Sequence, residues 1–253
     1  MLLTRVMPCL LLKNQRLVKT VKFKNPQYIG DPVNAIKIYN EKEVDELIIL
    51  DISASVNQQP PDYEIIENIS NECFMPVTYG GGITNTTQMQ KIFNLGIEKI
   101  AINHKGLQNI SFFTEASKEF GCQSVVASID VKKTLLGRYL VTSLSGNYSS
   151  SYTPGEYAKQ VESAGAGEIL LYSIERDGTW SGFDYNLIQA VSGSISIPLI
   201  ACGGAGKITD FAEAVKHGAS AVAIGSMAVY QGKDKGVLIK FPSKDEINSV
   251  LLS

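Results

Sequence analysis

Displaced by 122 residues, the sequence lies on itself without gaps over a long stretch, and this repeat constrains the fold more than any other feature. Pro32 meets Pro154, Lys37 meets Lys159, Glu46 meets Glu168 and Pro76 meets Pro198. Gly81-Gly82 meets Gly203-Gly204, Gly96 meets Gly218 and Ala101 meets Ala223. The local patterns agree as well: DELIILDIS parallels GEILLYSIE, MPVTYGGGI parallels IPLIACGGA, and LGIEKIAIN parallels HGASAVAIG. Each half alternates short β-branched runs with amphipathic stretches. The predicted strands lie near residues 5–11, 46–51, 75–79, 98–103, 124–130, 168–173, 197–202 and 220–225. The predicted helices lie near 31–43, 61–73, 85–95, 109–119, 153–165, 183–193 and 207–217. Continuous apolar runs between helices imply parallel strands covered on both faces. Eight such units predict an α/β fold, a (β/α)8 TIM barrel forming one domain over 1–253, with half-barrels at about 1–122 and 123–253. An open doubly wound sheet is the competing architecture, and the unit count and matched halves disfavour it.

A chain of 253 residues is long for a single domain but ordinary for such a barrel. Twenty-three basic and 25 acidic residues leave a net charge of −2, so no global field favours nucleic acid or an anionic membrane. Cys9, Cys73, Cys122 and Cys202 are scattered, with no CxxC pair and no histidine nearby. That spacing argues against a zinc site and a disulfide framework, and suits a reducing compartment. Arg5 and Pro8 interrupt the N-terminal apolar run, and no stretch nears the ~20 apolar residues of a spanning helix. The expectation is a soluble, cytoplasmic protein with no metal and no cofactor.

Barrels of this class place their chemistry at the C-terminal ends of the strands. Gly80-Gly81-Gly82 follows the third predicted strand and Asn103 ends the fourth; Gly203-Gly204 and Gly225-Ser226 are their repeats. Glycine lets backbone N–H groups approach an anion closely, and a following helix N-terminus adds a favourable dipole. A single glycine pair is more often a tight turn, but its recurrence at symmetric positions points to two phosphate sites on opposite sides of the mouth. The segment after the first strand carries Lys13, Arg16, Lys19, Lys22 and Lys24 without an acid. It is either a solvated surface loop or a cover for an anionic ligand.

The motifs GDPV, DELIILDI, YGGGI, EKIAIN, SIDVK, GAGEILL, RDGT..G, IACGGAG and AVAIGS run from Arg5 to about Ser226. Together they resemble the cyclase subunit of imidazole glycerol phosphate synthase. The resemblance implies a glutaminase subunit docked on the N-terminal barrel face and ammonia passing through the core to a bis-phosphorylated ribulosyl nucleotide at the other mouth. By the same resemblance Lys19 closes the basic segment over this phosphorylated ligand. Asp51 and Asp177, with Gly178 and Thr179, contact its hydroxyls and nearby phosphate. Gly81 and Gly82 with Asn103 and His104 form one phosphate site, and Gly203 and Gly204 with Gly225 and Ser226 the other. Asp130 is a catalytic carboxylate. Arg5, Glu46, Lys99 and Glu168 begin four strands; on position alone they form a stabilising salt-bridge cluster, whereas the resemblance makes them an ammonia gate.

Three places depart from the pattern. The first catalytic aspartate of the family lies at the end of the first strand, in a CLDV-like motif; here the motif is CLLL, with Leu11 in that place. Leucine neither gives nor accepts a proton, and general acid–base catalysis typically contributes ~10²–10⁴-fold. His104 stands where a small hydroxyl residue is usual, either donating one hydrogen bond to phosphate or simply packed. After Ser226 the tail lacks the longer final amphipathic helix expected of the family, and GVLIKFPS reads as an extended segment.

PCLLLKN, LVKTVKFK, YIGDP, NEKEVDELIILDI and ECFMPVTYGGGI resemble more closely the amidation-associated cyclase homologues of surface-polysaccharide and nonulosonic-acid pathways. That branch implies nitrogen supply to a further partner, an ATP-dependent amidotransferase that converts an N-acetyl group on a sugar to an acetamidino group. The alternatives are a histidine-pathway cyclase whose acid–base duty has shifted to another group, and a non-catalytic conduit that activates a glutaminase.

Overall fold

The structure, a computed structural model, describes residues 4–232 and 236–252. In chain order its elements begin β1 (Arg5–Lys13), β2 (Arg16–Val21), β3 (Lys24–Gly30), α1 (Pro32–Glu41), β4 (Leu47–Asp51), α2 (Tyr63–Glu72), β5 (Val77–Gly80) and α3 (Thr86–Asn94). They continue with β6 (Lys99–Ile102), α4 (His104–Gln108), α5 (Ser111–Phe120), β7 (Val125–Lys133), β8 (Tyr139–Ser143), β9 (Tyr148–Ser149), α6 (Pro154–Ser163) and β10 (Glu168–Ser173). The last are α7 (Tyr185–Ser192), β11 (Leu199–Cys202), α8 (Thr209–Lys216), β12 (Ala221–Ile224), β13 (Tyr230–Gln231), β14 (Gly236–Val237) and α9 (Lys244–Leu251). Eight of the strands close on themselves in the order β1-β4-β5-β6-β7-β10-β11-β12, every pairing parallel, with β12 returning to β1 through Arg5↔Ala221 to Pro8↔Ile224. This is the (β/α)8 barrel that the repeat predicts.

The chemistry of the repeat recurs in the helix starts. Asp31 caps α1 through its side chain and Pro32 follows it; one repeat later Thr153 caps α6 and Pro154 follows. A short polar side chain satisfies an orphan N–H of the first turn, and proline loses no helical bond there. Closure leaves two separate apolar cores. One lies between barrel and helices; the other fills the barrel with inward-facing Met7, Cys9, Leu11, Ile48, Val126, Leu170, Tyr172, Ile200 and Cys202. The alternation of inward and outward residues along each strand separates them.

The predicted strands and helices fall within about two residues of the observed ones at most ends. The structure adds two hairpins, β2–β3 and β8–β9, above the mouth, and the short helix α4. The basic segment is therefore an ordered hairpin: Arg16 lies over the Tyr28 ring, Lys22 pairs with Glu175 at 3.2 Å, and Lys19 alone is buried. The tail expectation needs correction. Ser243 forms a capping box with Glu246, and α9 packs Ile247 into the outer core, so a final helix exists, although of only eight residues. Gly236–Val237 is extended as read; the neighbouring residues 233–235 lie outside the described residues. No described helix is long and apolar enough to cross a membrane.

Candidate functional site

The ends of the barrel strands supply the site from two directions. At their N-terminal ends, Arg5 bridges Glu46 and Glu168, and Lys99 bridges the same two carboxylates at 2.9 and 3.1 Å. Thr78 donates a further hydrogen bond to Glu46 at 3.1 Å. The four charges form one closed ring with the carboxylates buried and the cations partly exposed.

At the C-terminal ends a cavity of about 110 Å³ opens, lined by Leu11, Asp51, Gly81, Gly82, Asn103, His104, Asp130 and Tyr172 among others. Phe23 reaches into it from the β2–β3 hairpin and meets the Tyr172 ring edge-on at 4.9 Å. Leu11 is buried, paired across β1 with Val18 of the hairpin and Leu50 of β4. Asp130, set at the inner wall by β7, has its pKa pushed up to about 7, mainly by burial, with Asn103 lowering and Asp177 raising it. Asp51 uses one carboxylate oxygen to accept from Ser53 N, Ser53 Oγ and Ala54 N at 2.7–3.1 Å, an Asx turn that fixes its rotamer.

Lys19 Nζ donates to the Cys9 carbonyl and lies 3.0 Å from where a Cβ of Gly225 would stand. Burial pushes its pKa down, opposed by Cys9, Asp177 and Cys202. Cys9 and Cys202 are both buried in the barrel interior, as free thiols. The Asp177 carboxylate accepts from Thr20 Oγ1 at 2.6 Å, Phe23 N at 3.1 Å and Tyr172 OH at 3.0 Å. Its carbonyl also accepts from Lys22 N at 3.0 Å, so Asp177 ties the hairpin down across the mouth. Gly178 packs beneath the hairpin: a Cβ there would stand 2.4 Å from the Thr20 carbonyl oxygen. Thr179 turns its hydroxyl inward on Arg176 O at 2.7 Å.

The two glycine turns are built alike. A Cβ on Gly81 would stand 2.7 Å from Asp51 O, and one on Gly203 2.7 Å from Ser173 O, the same contact one repeat later. Asn103 and Gly225 share an unusual backbone, at φ −120, ψ −93 and φ −101, ψ −91, each opening a short helical turn. Only the first turn faces the cavity; the second is covered by the segment 180–182, through Gly182 N to Gly204 O at 2.9 Å, and by Lys19. Trp180, in that cover, holds φ 59 and buries an indole N–H without a partner. Ser226 is buried behind the second turn. Sequence reasoning missed Lys105, Ser55 and Ser145, which also line the cavity; no motif marks them, because α4, the turn after β4 and the β8–β9 hairpin bring them there. Among the described residues no cluster of three or more His, Cys, Asp or Glu could hold a metal ion, and all four cysteines are free.

A family model described as histidine biosynthesis protein matches residues 5–235 of this chain. A Pseudomonas aeruginosa protein, provisionally named imidazole glycerol phosphate synthase subunit hisF2, is 49% identical over 245 residues, covering 96% of this chain and 98% of that protein. The chain belongs to the cyclase-subunit family of imidazole glycerol phosphate synthase. Two further members of the family are similar over most of their length. One, from Leptospira interrogans and also provisionally named as the HisF subunit, is 43% identical over 248 residues, covering 97% of this chain and 98% of that protein. The other, the synthase subunit HisF of Sulfurisphaera tokodaii, is 40% identical over 221 residues, covering 87% and 88%. Strand ends, the first glycine turn and Asp130 meet at the cavity of this family member.

Proposed function

We propose that this barrel receives ammonia from a glutaminase docked over Arg5, Glu46, Lys99 and Glu168, and holds a phosphorylated ligand at the opposite mouth. Its nitrogen serves the conversion of an N-acetyl group on a surface-glycan sugar to an acetamidino group, through a separate ATP-dependent amidotransferase. Leu11 carries this reading. The cavity offers Asp130 as an acid or base, but the facing position in β1 holds a buried leucine. A cyclisation that needs a proton donor and a proton acceptor on two sides of the ligand loses one of them, about 10²–10⁴ in rate. The glycine turns, Lys19, Asp51 and Asp130 remain in place, which supports a bound ligand over a bare conduit.

The test supplies purified protein with the bis-phosphorylated ribulosyl nucleotide and ammonium, and measures imidazole glycerol phosphate. Slow or absent turnover with retained nucleotide binding is expected, and Leu11→Asp should restore turnover by at least tenfold. Turnover at the rate of an ordinary cyclase would sink the proposal. It would favour the second reading, a histidine-pathway cyclase, for which one observation speaks: a carboxyl with a pKa of about 7 is able to give and take a proton at neutral pH. The partner is tested separately, by the rise in glutaminase activity on adding the barrel; a glutaminase indifferent to it would remove the docking part of the proposal.

A further inference from the structure

The halves of the barrel repeat their backbone at the two glycine turns but not their cations. In the second half the positions after Gly225 are Ser226 and Met227, and the charge arrives from outside the repeat, as Lys19 Nζ beside Gly225. In the first half no hairpin lysine reaches the turn; the equivalent positions are His104 and Lys105, and both line the cavity. Lys105 makes no ion pair and no side-chain hydrogen bond among the described residues, although Asp51 and Asp130 share its cavity.

Two of the donors that a glycine-turn site would use are engaged with protein here, while the first-turn N–H groups of α4 have no side-chain cap. Gly82 N donates to Ser55 Oγ at 3.2 Å, and Asn103 Nδ2 donates to Ser128 O at 3.0 Å. His104 commits Nδ1 to Ser143 Oγ at 2.9 Å and packs edge-on against Tyr148, which leaves Nε2 as its remaining polar atom. The three N–H groups of the Lys105 ammonium are thus the uncommitted charge at this end of the cavity. An unpaired cation facing a partly enclosed polar cavity is strongly favoured by an anion there, because the surrounding dielectric is low.

We propose that Lys105 is a ligand-binding residue, the counter-cation of a phosphoryl dianion seated at Gly81–Gly82 and His104, as Lys19 is at Gly225. The ligand then carries a phosphoryl group at the α4 end of the cavity, its charge met by this ammonium. This rests on the reading of the cavity as a phosphorylated-ligand site and adds a residue that binds the phosphoryl group there.

The experiment measures binding of inorganic phosphate and of the bis-phosphorylated ribulosyl nucleotide, by calorimetry, to wild type, Lys105→Met and Lys105→Arg. Methionine is the residue that the other half places at the equivalent position. Lys105→Met should weaken the nucleotide tenfold or more and flatten the salt dependence of its binding, with Lys105→Arg close to wild type. Unchanged nucleotide affinity and salt dependence in Lys105→Met would overturn the assignment and leave the ligand class standing. Wild type that binds phosphate but not the nucleotide, with phosphate lost in Lys105→Met, would keep the assignment and discard that nucleotide. Wild type that binds neither would discard both.

Discussion

Asp130 shows how one residue's setting dictates both chemistry and stability. Burial holds its carboxyl protonated up to about pH 7 in the folded protein, against an ordinary value of 3.8. Between those limits the native state binds a proton that the unfolded chain has released, so this residue makes stability fall as pH rises from about 4 to 7. Asp130→Asn should match wild type near pH 4 and exceed it at pH 8, by on the order of 4 kcal/mol, read as a pH-dependent difference in Tm. Any catalytic step that uses Asp130 as a base should speed up with pH through about 7, and the asparagine variant should abolish that rise. The position of Asp130 at the end of a barrel strand was legible in the sequence; its shifted proton affinity was not, because it depends on its burial and on Asn103 and Asp177 around it.

At the scale of elements, the β2–β3 hairpin is the least legible part of the chain. Its turn puts Lys22 and Phe23 at φ 54 and 59, where hairpins prefer Asn-Gly, and β3 is exposed through most of its length. No alternation announces it, and a bulky aromatic in the left-handed region costs about 1–2 kcal/mol. The structure holds it there through contacts 150 residues away in sequence: Asp177 accepts from Thr20 and Phe23, and Phe23 packs on Tyr172. The resemblance assigned Asp177 to the ligand, but its carboxylate is occupied by the hairpin. Asp177→Asn should therefore release the hairpin before it disturbs the barrel. The check is amide hydrogen exchange at Lys22 and Phe23, expected to lose about 1–3 kcal/mol of protection while β7 and β10 stay unchanged. Equal protection in the variant would restore Asp177 to the role of a ligand contact.

For the molecule as a whole, the eight barrel strands were legible because each is a continuous apolar run and the repeat fixed their number; the two hairpins and α4 were not, because only long-range contacts define them. The charged ring spans four strands, and Lys99→Met would leave Glu168 to Arg5, and Glu46 to Arg5 and the Thr78 hydroxyl. A buried carboxylate deprived of a partner is costly, so stability should drop by about 1–3 kcal/mol, measured by denaturant unfolding. If the ring also passes ammonia, the variant complex should lose glutamine-dependent nitrogen transfer while keeping the rate with added ammonium. The strands join ring to mouth: β1 carries Arg5 and Leu11, β4 follows Glu46 and ends on Asp51, β6 begins at Lys99 and leads to Asn103, and β10 carries Glu168 and Tyr172. At ~3.3 Å per residue these are rods of roughly 13–20 Å. The ring holds two cations and two carboxylates, so its own field dies away over such a length. If a partner docks on that face as proposed, the strands themselves, and not the field of the ring, join its footprint to the mouth.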